Sequence, residues 1–517
     1  MPRYAAIDIG SNSVRMEAAE VTPGQPPRIL ASDREVTRLG ESVFRNGWVS
    51  EEAMLATCAV LLRMCETYRR LDVVGVRVVA TSAIRDTRNK KEFLRRASEA
   101  AGAAVEVISG REEARLIHLG VESSWPQNGR RALIIDIGGG SAEIIASQDA
   151  VLCAAFSRPL GAVRLREIFL KDDPPTPRQL HQMREYIREK LSTAVRKLSS
   201  WTWDRTIATS ASAAAVAGVV SGVARPKREG IDRIRIPIAE VRRLYQAIST
   251  MNLANRRKLT GIGPRRAEII VPGVVVLLEF LEAFGRHSVY YSRAGVRDGI
   301  IADLAIRNVG AELSRMSRDQ RREVEDMGRR YGVTLDHSRK VGSISNLLFH
   351  ALQPLHQLPP SCGKLLDAAA HLLDVGHYIS SSSHHKHSYY VVSNSDMPGF
   401  TERERVLIAN LCRYHRKSMP LPVHHGYQAL SAEEKRVLLL MIPLLRLADN
   451  LDSSHERRIE KLECRWTDSE LMLLVYSDGD IDLEQWGAER AGDAFRQVYN
   501  RQVVVAKPRD SQSGNRP

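Results

Sequence analysis

Residues 4–21 read YAAIDIGSNSVRMEAAEV, and residues 132–146 read ALIIDIGGGSAEIIA. Each is an apolar run ending in aspartate and glycine, then a loop of small polar residues, then a second run leading back. That is the pattern of a β-hairpin closed by a glycine–serine turn. Asp8 and Asp136 hold the same place in the two stretches, 128 residues apart, so the chain carries an internal repeat, one copy in each half of a domain pair.

The segments around the hairpins complete two mixed α/β lobes. Val73–Thr81 and Ala104–Ser109 read as strands, and 51–71 and 91–101 as helices. After the second hairpin come a helix over 178–198, the strand-turn-helix RTIATSASAAAVAGVV at 205–220, a long helix over 267–284, and the strand SVYYS leading into GVRDGIIADLAIR. The domains expected are 1–124 and 125–309 for the lobes, a helical region 310–465 opened by the arginine-rich RMSRDQRREVEDMGRRYG, a small β-α-β appendage 466–507, and a disordered tail 508–517.

Composition narrows the partners. Lys+Arg total 75 against 61 Asp+Glu, a net charge of +14 over 517 residues, which points to an acidic partner without naming one. Aromatics make up only 6%, too few for stacking platforms along a single strand, so nucleic acid is not expected. The six cysteines (Cys58, Cys65, Cys153, Cys362, Cys412, Cys464) form no C-x-x-C pair. The start, MPRYAAIDIG, has no apolar run of the signal-peptide kind, and no window approaches a membrane span, so the expected location is the cytoplasm.

The hairpin loops suggest the chemistry. Gly10, Ser11, Asn12 and Ser13 can turn their backbone N–H groups toward one point, and Gly138, Gly139, Gly140 and Ser141 can do the same. Each loop would be an anion nest, and two of them across a cleft would hold adjacent phosphates of one ligand. Asp8 and Asp136, at strand ends just before the loops, are placed to hold Mg²⁺ beside those phosphates. Glu143 faces the same way as Asp136 if the hairpin register is tight.

Five motifs, AIDIGSNSVR (6–15), ATSAIRDTRN (80–89), ISGREEARLIHLGV (108–121), IDIGGGSAEI (135–144) and YYSRAGVRDGII (290–301), in this order, resemble the exopolyphosphatase and guanosine pentaphosphate phosphohydrolase family. The likeness extends through HSYYVVSNSDMPGF and RYHRK in the helical region. It implies two actin/acetate-kinase-like α/β domains followed by an all-α HD-like domain, a homodimer, and Mg²⁺-assisted hydrolysis. The bond cut would be the terminal phosphoanhydride of inorganic polyphosphate or the 5′-terminal phosphate of guanosine pentaphosphate.

By the same resemblance Glu113 activates the attacking water and Arg85 stabilises charge on the phosphoryl group. The chemistry is coherent, because a phosphoanhydride already carries a good leaving group and needs mainly a positioned water, a proton acceptor and charge neutralisation. Glu112 is the neighbouring alternative, but adjacent helical residues point about 100° apart, so only one can face a cleft, and a solvated acid at the helix start is the reading for Glu112. Thr209 and Ser210 match a turn near the nucleotide site of related folds; without a double glycine there, an ATP-type adenine site is not expected.

Eleven of the fifteen histidines fall between 337 and 425. An HD-type metal site would use His337, a His-Asp pair and Asp449, but Leu373 stands where the paired histidine belongs, leaving Asp374 alone. The expectation is therefore a catalytically silent domain, in which His384, His385, Lys386, His387, Arg413, Arg416 and Lys417 form a basic lining for a polyanion. Guanosine pentaphosphate as substrate, a non-catalytic polyphosphate or nucleotide sensor, a kinase of the same superfamily and an HD-type hydrolase stand as alternatives to polyphosphate hydrolysis.

Overall fold

Strand β1 (Arg3–Ile9) is buried on both faces, and that determines what packs around it. Ala5, Ile7 and Ile9 join one core with the helices Glu51–Arg70 and Lys90–Ala101, while Ala6 joins another with Leu116, Ile300 and Ile301. The computed structural model describes residues 1–223, 230–307 and 314–507 and divides into two compact units, Met1–Asn308 and Val309–Pro517.

In the first unit β1 pairs antiparallel with β2 (Val14–Glu20), which pairs with β3 (Arg28–Glu35); β4 (Gly75–Ala80) and β5 (Val105–Val107) add in parallel on the other side. The sheet order is β3-β2-β1-β4-β5. The second sheet comprises β6 (Arg131–Ile137), β7 (Ala142–Gln148), β8 (Val151–Arg158), β9 (Arg205–Thr209), β10 (Arg235–Pro237) and β11 (Ser288–Tyr291), in the order β10-β11-β9-β6-β7-β8. Read from its far edge it repeats the first sheet strand for strand, with β10 added. The hairpin repeat in the sequence is thus the visible part of a duplicated α/β lobe.

Two helices depart from a clean division at 124/125. The helix Gly110–Ser124 packs Ala114, Ile117 and Val121 against Ile134, Ile145 and Ile207 of the second sheet, yet turns Leu116 to the first. The helix Val296–Arg307, expected as part of the second lobe, lays Ile300 and Ile301 on Ala6 and Val79 of the first. The two cross so closely that a Cβ on Gly299 would lie 1.8 Å from the Leu116 carbonyl oxygen. Each lobe is completed by a helix from the other half of the unit, and Glu113 rides on one of these helices.

The expected boundary at 309/310 falls in residues 308–313, and the tail 508–517 lies at the end; both are outside the described residues. The second unit is helical, and the helices beginning at Arg318, Glu402 and Ala432 start with capping boxes (Ser317/Gln320, Thr401/Glu404, Ser431/Glu434). The C-terminal portion differs from the expected β-α-β. It begins with β12 (Lys461–Trp466), continues through β13 (Glu470–Tyr476) and the helix Asp482–Tyr499, and ends with β14 (Gln502–Ala506). Leu471, Leu473, Val475 and Phe495 share one apolar core with the helices, so this segment is part of the helical unit. All six cysteines are free, and among the described residues no helix is long and apolar enough to cross a membrane.

Candidate active site

The two hairpins hold their acidic residues in equivalent slots. Asp8 stands opposite Arg15 on the β1–β2 ladder, and Asp136 opposite Glu143 on the β6–β7 ladder. Directly opposed residues share a face of the sheet, so Glu143 does face the same way as Asp136. Each loop is closed by one bond of the same kind, Gly10 N–H to the Ser13 carbonyl at 3.1 Å and Gly138 N–H to the Ser141 carbonyl at 3.0 Å.

Glycine is required in the second loop because the first loop lies against it. A Cβ on Gly139 would sit 3.0 Å from Ser11 Cβ, and one on Gly140 would sit 2.6 Å from both Ser11 Oγ and Ser82 Oγ. Gly161, after β8, is equally constrained, 2.3 Å from the backbone of Gly139 and Gly140; sequence reasoning passed over it, since nothing local marks it. Both loops line one cleft together with Asp8, Asp136 and Glu113.

Glu113 reaches this cleft from the first turn of the helix Gly110–Ser124, whose start is capped by Ser109 Oγ accepting from Glu112 N–H at 3.1 Å. Its side chain is buried, and Arg85 Nη1 donates to Glu113 Oε2 at 2.9 Å and to the Ile108 carbonyl at 2.8 Å. Burial pushes the Glu113 carboxyl up to about 7; Arg85 opposes the rise, and Asp8 and Asp136 add to it. Arg85 was expected to aim its fork at a phosphoryl group. In the structure it pairs with Glu113, two opposite charges attracting strongly in a water-poor site.

Glu112 corrects an expectation. It is 4% exposed rather than solvated, and it belongs to a buried network in which Arg77 and Arg115 each bond both Glu112 and Asp303. Burial alone would raise the Glu112 carboxyl, but Arg115 and Arg77 outweigh it and hold it below the ordinary range. This network ties the helix Gly110–Ser124 to Val296–Arg307 and so fixes where Glu113 points.

The remaining acids form an oxygen-lined floor. Burial raises Asp8, with Arg15 and Arg297 opposing; burial raises Asp136 to about 6, offset by the bond it accepts from Thr209 and by Arg15. Glu143 is fully buried, accepts from Ser157 Oγ at 2.8 Å through Oε1, and is pushed well above the ordinary carboxylate range by burial and by Glu113. Asp8 Oδ1 and Glu143 Oε2 are buried without a hydrogen-bond partner. Orphaned carboxylate oxygens beside a phosphate-sized nest fit a hard divalent cation.

Arg15, Arg266, Arg293 and Arg297 also line the cleft and were not singled out from sequence. Three of them lie inside quoted motifs, AIDIGSNSVR and YYSRAGVRDGII, where a single arginine carries no local signal of its own. In the helical unit, His384 and His385 are buried, and burial together with His415 pushes them down to about 3 and about 4. They are uncharged at neutral pH and drop out of the expected basic lining. Lys386, Arg416 and Lys417 are exposed, and His387 and Arg413 half-buried, with the Arg413 guanidinium 5.9 Å from the Tyr414 ring centroid.

Residues 18–308 match the model of the Ppx/GppA phosphatase family, and residues 320–480 match Ppx/GppA phosphatase domain III. The chain belongs to the Ppx/GppA phosphatase family. Among characterised relatives, the guanosine-5′-triphosphate,3′-diphosphate pyrophosphatase of Aliivibrio fischeri is 27% identical over 450 residues, 86% of each chain. The crystal structure of the Aquifex aeolicus member of the Ppx/GppA family superposes with a TM-score of 0.53 at 27% identity, covering 60% of this chain and 99% of that one. An exopolyphosphatase from Cytophaga hutchinsonii, 24% identical with a TM-score of 0.55, covers 58% of this chain and 97% of its own and shares the fold. As a Ppx/GppA phosphatase the chain is a hydrolase.

Proposed function

We propose that this Ppx/GppA phosphatase is an exopolyphosphatase that removes the terminal phosphate of linear inorganic polyphosphate in the cleft between the two glycine loops. The observation that carries the reading is Glu113, a buried carboxylate with a near-neutral pKa, held by Arg85 at the edge of two phosphate nests. Backbone and serine groups of Gly10–Ser13 and Gly138–Ser141 hold the terminal phosphates. Glu113 orients a water in line with the terminal phosphorus and accepts its proton as the new P–O bond forms. The bridging P–O bond breaks, its electron pair leaves with the shortened chain, and orthophosphate is released.

Asp8 and Asp136, with Glu143 behind them, are the residues that would hold Mg²⁺, whose chemistry is neutralisation of phosphate charge. Arginine placement favours a long polyanion. A neighbouring cavity of about 540 Å³ shares Arg15, Arg293 and Arg297 with the cleft, adds Arg34, and has Tyr291 as the single aromatic among its described lining residues. Such a path suits a chain of phosphates better than a guanine ring.

The second reading, removal of the 5′-terminal phosphate of guanosine pentaphosphate, is favoured by the Aliivibrio fischeri relatives. Orthophosphate release from long polyphosphate and from guanosine pentaphosphate, compared side by side with and without Mg²⁺, separates the two. A kcat/KM higher for polyphosphate supports the first; a preference for the nucleotide replaces it by the second.

A further inference from the structure

The reading of the helical unit as lacking a metal site rests on Leu373, which leaves Asp374 without a paired histidine. In the fold, Asp374 is not alone. Its Oδ1 lies 3.6 Å from His377 Nε2 and 3.6 Å from His384 Nε2, histidines contributed by the next turn and the next helix. Its Oδ2 lies 3.9 Å from His337 Nε2, which is in turn 3.6 Å from Asp449 Oδ1. One ligand atom each of Asp374, His377 and His384 falls within a 4.8 Å group, and His415 Nε2 is 3.2 Å from His384 Nε2.

Most of these separations are long for hydrogen bonds but suit neighbouring ligands around one cation: donors about 2.1 Å from a tetrahedral metal lie roughly 3.4 Å from each other. His337 is an independent indication. It is 3% exposed, and its Nε2 is buried without a hydrogen-bond partner. Its other nitrogen, Nδ1, is 2.7 Å from Oδ2 of the fully buried Asp452. A carboxylate there accepts the Nδ1–H hydrogen bond and so fixes the tautomer whose lone pair is on Nε2, the arrangement that orients a metal-binding imidazole. His415 is fixed likewise, its Nδ1 2.7 Å from the Cys412 carbonyl oxygen.

We propose that the helical unit holds a divalent transition-metal ion among His337, Asp374, Asp449, His377 and His384, separate from the oxygen-lined cleft of the first unit. Mixed imidazole and carboxylate donors select zinc, manganese, iron or cobalt over magnesium. A cavity of about 630 Å³ lined by Asp374, His377, His384 and Asp449 gives the ion a way in. Arg416 Nη1, 3.3 Å from His384 Nδ1 and 3.4 Å from its Nε2, belongs to an exposed side chain and swings aside when the ion enters.

The test uses the full chain, stripped with chelator, reloaded with Zn²⁺ in excess Mg²⁺, dialysed, and assayed for metal by mass spectrometry and for visible absorption after Co²⁺ substitution. The wild type should retain one Zn²⁺ per chain more than the double variant His337→Gln/Asp374→Asn, and its cobalt spectrum should show the intense bands of low-symmetry nitrogen–oxygen coordination, which the variant loses. Circular dichroism checks folding; if the double variant misfolds, His377→Gln/His384→Gln replaces it. Asp452→Asn, acting through His337, should weaken Zn²⁺ binding about 10- to 100-fold. Equal zinc content in wild type and a folded variant, or no zinc retained by the wild type, overturns the proposal.

Discussion

Glu113→Gln removes a proton acceptor and little else. The amide keeps the shape of the side chain, and its carbonyl oxygen can still accept from Arg85 Nη1, which the carboxylate does at 2.9 Å. A positioned general base contributes about 10²- to 10⁴-fold to a rate, equivalent to roughly 3–5 kcal/mol of barrier. The expected outcome is a kcat for orthophosphate release from long polyphosphate lowered by that factor, with polyphosphate binding, measured by equilibrium dialysis, within a few-fold of wild type. The pH profile gives a second reading of the same group. Burial places the Glu113 carboxyl at about 7, and only the ionised form accepts a proton, so wild-type kcat/KM should fall as pH drops through about 7, tending to tenfold per pH unit below it. A cation bound at Asp8 and Asp136 would move this midpoint lower, since a nearby positive charge favours the carboxylate. Turnover by Glu113→Gln within tenfold of wild type, or a wild-type rate that stays level from pH 5.5 to 8.5, would refute the assignment.

Gly140→Ala inserts a Cβ 2.6 Å from Ser11 Oγ, Ser82 Oγ and Phe44 Cζ; the loops must separate, and phosphate release should fall about 10²-fold with the far-ultraviolet dichroism unchanged. Glu112→Gln leaves Arg77 and Arg115 short of a buried partner, so urea unfolding should show a loss of about 3–5 kcal/mol; an unchanged midpoint would count against the network. Asp303 resists the rise that burial would cause because Arg115, Arg307 and Arg77 hold its carboxyl far below the usual range. Its contribution should therefore be present above about pH 4, the unfolded-state value, and be lost as pH falls below it. Arg416→Glu/Lys417→Glu should raise KM for long polyphosphate more than for short chains, and added salt should raise KM as counterion release predicts; equal effects on both chain lengths would remove the basic lining from the substrate path.

The parts of the site legible in sequence are those set by neighbours a few residues apart. Alternation of apolar residues around Asp8 and Asp136 gives hairpins, small residues in Gly10–Ser13 and Gly138–Ser141 give nests, and the 3.6-residue period separates Glu112 from Glu113 by about 100°. The parts that were not legible depend on residues far apart in the chain. The clamp on Glu113 joins residues 28 positions apart, and the Arg115–Asp303 bond joins residues 188 apart. Arg293 and Arg297 reach the cleft because Val296–Arg307 crosses back onto the first sheet. His377 and His384 come within 3.6 Å of Asp374 only once the chain between them has turned.

By itself, then, the sequence determined a duplicated α/β lobe with two glycine loops and a pair of acids beside them, because hairpin register and turn chemistry are local. Tertiary structure alone decided that Glu112 is locked in a buried network, that Arg85 grips Glu113, and that His337, His377 and His384 gather around Asp374. Those outcomes follow from how helices cross and how deeply groups are buried, and burial sets both the charge a side chain carries and the partners it must find.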